Sequence, residues 1–167
     1  KEAVCFDTET TALDIREAQL VGLAISYQPG RAYYVHLPEG EEQSIIEEFK
    51  PFFEAEQIEK IGQNLKYDIS VLANYGIKVK GPIFDTMLAH YLINPDMRHN
   101  MDIMAETYLA YQTQSIEELI GKKGKNQKTM REVDPEKVAE YAGEDADITL
   151  QLAAIFKEKL EISTAKV

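Results

Sequence analysis

The apolar positions of this chain fall into short runs first and into helical stripes later. Residues 3–8 read as a strand, 20–27 (LVGLAISY) as a second, and 31–37 (RAYYVHL) as a third after a Pro29-Gly30 turn, which predicts an antiparallel meander. SIIEEFKPFF (44–53) is helical in pattern and interrupted by Pro51, and IEKIGQ (58–63) is a short strand. Residues 64–76 predict a helix with Asn64 as its N-cap, Gly76 just past its end, and Leu65, Ile69, Leu72 and Ala73 as its apolar stripe. IFDT (83–86) leads as a strand into a helix over 87–93. A helix near 101–111 and a shorter one near 115–120 follow. The clearest element is the last. Asp134-Pro135-Glu136 starts a helix, and Val138, Tyr141, Ala142, Asp145, Ile148, Thr149, Leu152, Ile155 and Phe156 recur along one face of it. Three strands, then strand and helix in alternation, predict an α/β architecture: a mixed sheet with helices packed on it.

Four acids break this pattern. Asp7 and Glu9 end the first strand two residues apart, so they share a face, with Thr8 turned to the other side. Asp68 lies one turn into the helix that begins at Asn64. Asp145 lies on the otherwise apolar face of the last helix, one turn after Tyr141. Taken singly, the strand acids read as turn or cap formers and Asp68 as a complement to its helix dipole. An acid among core residues is harder to explain, because carboxylates are rarely buried unpaired. Taken together, the four carboxylates would repel unless cations neutralise them. Oxygen ligands without His or Cys suit Mg²⁺ or Mn²⁺, and two such ions about 3.5–4 Å apart are a recurring device for displacement at phosphorus.

The bulk properties then narrow the partners. A length of 167 residues suits one domain, which needs no staple. A single cysteine, Cys5, excludes an internal disulfide and reads as a small core residue. No leader pattern and no apolar run of ~20 residues is present, so the expectation is a cytoplasmic chain that spans no membrane. The first residue is Lys and the ending EISTAKV has no helix stop, from which residues 1–167 are expected to be one domain excised from a larger protein. A net charge of -11 alone argues against nucleic acid, though acids that have bound metal would lift that objection. Lys122, Lys123, Lys125 and Lys128 form an acid-free patch in GKKGKNQK that reads either as a solvated loop or as a phosphate contact. His36, His90 and His99 are isolated and offer no metal spacing. No phosphate-cradling glycine loop, Ser-His-Asp set or zinc pattern is present.

FDTET, NLKYD and YAGED resemble the three motifs of the DEDD superfamily of 3′→5′ exonucleases, in its tyrosine subgroup. GQNLKYDISVLANYGI, FDTMLAHYLIN, MDIMAETYL, GKKGKNQKT and YAGEDADITLQL together resemble the proofreading domain of bacterial DNA polymerase I, a family A polymerase, over nearly the whole chain and in order. The resemblance implies a ribonuclease H-like mixed sheet, three antiparallel strands followed by parallel ones, flanked by helices. It implies two divalent ions, with Asp7 bridging both, Glu9 and Asp145 completing the tighter site, Asp68 holding the second ion through water, and Tyr141 orienting the attacking water with help from Glu9. It also implies removal of nucleoside 5′-monophosphates from a frayed, single-stranded DNA 3′ end, a polymerase domain in the same parent chain, and a place with the nucleoid. Substrate contacts carried over are Leu13 as a wedge between the last two bases and Gln63 and Asn64 near the terminal nucleotides; Thr8, between the two strand acids, and Arg98, beside His99 in DMRHNMD, are added as candidate contacts, the latter at a phosphate. The lysine loop (Lys122, Lys123, Lys125) is carried over as a DNA contact. Two departures stand out: Met130 replaces the usual stacking phenylalanine, and the loop has one lysine more than the family pattern. An RNA-trimming exonuclease of the same superfamily, or an inactive structural domain, would be the other readings.

Overall fold

The computed structural model describes residues 2–164. Five strands, Ala3–Thr10 (β1), Leu20–Gln28 (β2), Arg31–His36 (β3), Glu59–Gly62 (β4) and Ile83–Asp85 (β5), form one sheet in the order β3-β2-β1-β4-β5. The meander β1–β2–β3 is antiparallel, and β1–β4 and β4–β5 are parallel. The sheet is therefore the mixed one expected.

The helices are Glu42–Glu48 (α1), Lys50–Phe53 (α2), Leu65–Asn74 (α3), Thr86–Ile93 (α4), Met101–Leu109 (α5), Ile116–Ile120 (α6) and Pro135–Thr164 (α7), with a 3₁₀ turn at Met130–Glu132. The helix predicted over 44–53 is two pieces. Phe49 ends α1, and Pro51 sits in the first turn of α2, where its missing N–H costs nothing. Among the described residues no helix is long and apolar enough to cross a membrane.

The period of two along β1 divides the molecule. Phe6 faces α1, α2 and α3 in the larger core, with Leu20, Leu23, Leu37, Phe53, Leu65 and Leu72. Cys5 faces the other way, against Ala153 of α7, and is buried as the sequence implied. A second core forms where α4 and α5 meet α7 through Ala89, Met104, Ile148, Leu152 and Phe156. The acids that follow Phe6 inherit this alternation, which decides where each one points.

Asn64 occupies the N-cap position that the sequence suggested but does not cap the helix with its side chain. Its backbone is left-handed (φ 57) and its side chain makes no capping bond. The orphan N–H groups of Asn64 and Leu65 are instead taken by the carboxylate of Asp85, at 3.1 and 2.8 Å. The same carboxylate accepts from Met87 and Leu88 at the start of α4, at 2.9 and 3.4 Å. One residue thus caps two helices, one of which carries Asp68. Each cap contributes about 1 kcal/mol, so Asp85→Ala is expected to cost about 2 kcal/mol in urea denaturation. A loss no larger than that of an exposed acid elsewhere on the chain would contradict the double cap.

Candidate active site

Small residues bring α7 against the sheet. Ala24 of β2 packs on Ala142 and Ala146, and a Cβ at Gly143 would stand 3.5 Å from that of Ala32. Gly22 and Ala24 lie opposite Glu9 and Asp7 in the β1–β2 register, so no large side chain intervenes. The register slips just after Glu9, and such an irregularity adds local twist at the strand end. The side chain missing at Gly22 is replaced by the ring of Tyr34, whose atoms occupy the place a Cβ would take. Tyr34 therefore walls the site beside Glu9, whose charge, after burial, pushes the phenol's pKa up.

The result is a cluster of three acids. Asp7, Glu9 and Asp145 each present a ligand-capable oxygen, and these oxygens lie within 4.8 Å of one another. Asp68 approaches from α3, on the other side of β1. Its Oδ1 accepts from the Thr8 backbone N–H at 3.1 Å and from the Thr8 hydroxyl at 2.5 Å. Asp68 stands outside the three-acid group yet close enough for its charge to act on Asp7 and Glu9. Tyr141, one turn before Asp145, directs its phenol toward that carboxylate.

Electrostatics follow from the crowding. Burial, then the charge of Asp145 and of Asp68, pushes Glu9 up to about 8. Burial, then the acids Glu144 and Asp102, pushes Asp145 up to about 7 against the opposing hydrogen bond from Tyr141. Burial raises Asp68 to about 6, with the Thr8 bonds holding it down. Asp7 is raised by burial, then by Glu9, Asp68 and Asp145. Burial, then Asp145 and Glu9, pushes the Tyr141 phenol up, so it stays protonated at neutral pH and can donate. Four carboxylates held this way favour a site that receives positive charge, and an all-oxygen donor set fits hard divalent cations. The residues present fit such ions.

The substrate residues carried over from the sequence fall into different environments. Leu13 is 93% exposed on the loop after β1, free to meet a ligand. That loop is pinned by Tyr67, whose hydroxyl donates to the Ala12 carbonyl at 2.6 Å and lies 2.6 Å from the Thr10 hydroxyl. Asn64, Arg98, Lys122, Lys123 and Lys125 are exposed. Gln63 is half-buried and spent on the protein: its Nε2 donates to the His99 carbonyl at 2.8 Å, and its Oε1 accepts from Thr86 at 2.5 Å. Thr8 is 7% exposed with its hydroxyl committed to Asp68. Met130 is 4% exposed, so its side chain packs inward and offers no open face to a base. The neighbouring Arg131 reaches back to the Leu20 and Leu37 carbonyls and to Glu42, which anchors the turn that follows the lysine loop to the sheet.

His90 and His99 are not isolated, contrary to the sequence reading. Their Nδ1 atoms lie 2.7 Å apart, and the Nε2 of His90 lies 3.1 Å from the Tyr108 hydroxyl. Burial, then His99, lowers the pKa of His90. Nine residues of separation with no helical period gave no sign of the pairing.

A family model described as 3′-5′ exonuclease matches residues 1–161. The chain belongs to the 3′-5′ exonuclease family. DNA polymerase I of Pseudomonas aeruginosa is 39% identical to this exonuclease domain over 171 residues, covering 96% of it, and that of Borreliella burgdorferi is 36% identical over 163 residues, covering 95%. The alignments take up 19% and 17% of those proteins, so the chain spans about a fifth of their length. The match is to the exonuclease domain of bacterial DNA polymerase I, as the sequence motifs suggested. Among solved structures, Brucella melitensis NrnC superposes with a TM-score of 0.77 at 24% identity, covering 98% of this chain and 75% of that one. Escherichia coli RNase D, an exoribonuclease, superposes with a TM-score of 0.74 at 20% identity, covering 98% of this chain and 40% of that one. At such identities these likenesses establish the fold, that of ribonuclease H-like exonucleases.

Proposed function

We propose that the domain removes nucleoside 5′-monophosphates one at a time from the 3′ end of single-stranded or frayed DNA, by hydrolysis that depends on two divalent metal ions. The observation that carries this is the convergence of Asp7, Glu9 and Asp145 within 4.8 Å, with Asp68 behind them. Asp7 would touch both ions, Glu9 and Asp145 would complete one site, and Asp68 would serve the other. Bound there, Mg²⁺ or Mn²⁺ supplies a more acidic water and stabilises charge on the leaving 3′ oxygen.

The protein's own groups do the rest. Tyr141 keeps its proton, which it shares with Asp145 in the metal-free site; with the Asp145 oxygens engaged by a cation, that hydroxyl would donate to the attacking water instead and orient it, while Glu9 accepts from that water. The crowded carboxylates set the charge the site must receive. Leu13 wedges between the last two bases. Asn64, Arg98 and the lysine loop hold phosphates, with little preference for sequence. Met130, packed inward, leaves the strand with one stacking surface fewer than the family pattern provides.

The polymerase I relatives favour DNA as substrate, a proofreading role, and a parent chain with a polymerase domain, and on this reading the domain would work in the cytoplasm with the nucleoid. RNase D, described as an exoribonuclease in structured RNA processing, keeps RNA trimming as the second reading. Matched single-stranded DNA and RNA of one sequence separate the two. Faster release from DNA is expected, and markedly faster release from RNA would overturn the substrate assignment.

A further inference from the structure

Three of the four acids form a compact group, and the fourth stands apart. Asp7 and Glu9 leave β1 on the α7 side. Asp68 comes from α3, which packs on the opposite side of the same strand. A carboxylate arriving across the strand, buried and close enough for its charge to act on Asp7 and Glu9, needs something to fix its rotamer. Lying on the same side of β1 as Phe6, Thr8 provides this. Its N–H and its hydroxyl both end on Oδ1 of Asp68, at 3.1 and 2.5 Å, from a residue sixty positions away. Both partners are buried, Asp68 to 4% exposure. Two donors from one residue on the same Oδ1 hold the carboxylate in one orientation.

We propose that Thr8 is a positioning residue that acts through Asp68: its hydroxyl fixes the Asp68 carboxylate so that the second divalent cation is held. Threonine suits this position for two reasons. Its β-branch packs in a strand and restricts χ1, and its hydroxyl supplies a directional donor in a buried place. Partners that hold a ligating carboxylate typically change metal affinity ten- to a hundredfold when removed. The proposal rests on the two-cation reading above. It assigns Thr8 to the protein side of the site, where the sequence had placed it against the substrate.

The test is calorimetric titration of Mn²⁺ into the chain with thymidine 5′-monophosphate present, so that the readout is binding rather than turnover. Wild-type protein is expected to take up two Mn²⁺. Thr8→Val keeps the shape and loses the hydroxyl. It should weaken the weaker Mn²⁺ site about tenfold and leave the tighter one unchanged. Thr8→Ser keeps the hydroxyl and should bind as wild type does. Thr8→Ala carries the same comparison should valine's second methyl crowd the carboxylate and prevent folding.

The proposal is overturned if the hydroxyl-free variants bind both ions as wild type does, if both sites weaken equally, or if serine fails to rescue. Wild-type protein that binds fewer than two Mn²⁺ would overturn the two-cation reading itself, and the role of Thr8 with it.

Discussion

Replacing Asp7 with alanine is expected to abolish nucleotide release, by on the order of 10³-fold or more, and to leave a folded domain. Asp7 is the acid on which the other three act: its pKa is raised by Glu9, Asp68 and Asp145 together, after burial. It is also one of the three that present oxygens within 4.8 Å of one another. Its side chain supports no core cluster, so its loss opens no cavity of the kind that truncating Phe6 would. Removing it takes away a crowded like charge. Metal-free Asp7→Ala protein at pH 8 should therefore melt at or above the wild-type temperature while being inactive. Asp145→Ala should lose activity in the same way. Near wild-type release by either variant, measured on a single-stranded oligonucleotide, would contradict the site assignment.

The second large effect is on stability. Without metal, the melting temperature should fall as pH rises from 5 to 8. Glu9 titrates near its ordinary 4.5 in the unfolded chain and at about 8 in the folded one. Asp145 moves from 3.8 to about 7, and Asp68 from 3.8 to about 6. Between those values the native state holds more protons than the unfolded chain, so stability declines with pH. The stabilisation is complete below the unfolded pKa values and is gone above the folded ones. Millimolar Mg²⁺ or Mn²⁺ should reverse the trend. The ions compete with protons for the same oxygens and bind only the folded arrangement, which raises the melting temperature by several degrees at pH 8. A metal-free melting temperature that stays level or rises over this range, or no shift on adding metal, would show that the carboxylates are not held together.

Local rules carried the sequence a long way. The run AVCF and the period of two were enough to put Asp7 and Glu9 on one face, because strand alternation needs no tertiary information. The three- and four-residue spacing of α7 placed Tyr141 over Asp145 for the same reason. What stayed hidden depends on residues far apart in the chain. The Thr8–Asp68 bond spans sixty positions, and the reach of Asp85 to Leu65 spans twenty. An Asp just before a helical run does signal a cap for α4, but nothing local says that the same carboxylate also caps α3. Asn64 sits at the N-cap of α3 as its residue type suggested, but with a left-handed backbone its side chain makes no capping bond. Tyr34 could not be assigned to the site without the register that sets Gly22 opposite Glu9. Met130 showed its apolar character in the sequence but not its direction, and in the structure it packs inward.

Net charge gives a similar lesson. A value of -11 opposes a polyanionic substrate if the charge is taken as uniform. Part of that charge is concentrated in four carboxylates whose environment calls for cations. Much of the basic charge near the 3₁₀ turn is concentrated in the exposed lysine loop. Distribution, not the sum, decides what the surface can meet.

Cleavage at this carboxylate cluster is expected to require metal and to proceed from the 3′ end. Its most direct test is digestion of a single-stranded DNA oligonucleotide labelled at its 3′ terminus, with Mg²⁺ and with Mg²⁺ removed by chelation. The label is expected to leave first, as a mononucleotide, and only when the metal is present. Retention of the label with cleavage elsewhere in the strand, or release that is indifferent to the metal, would contradict it.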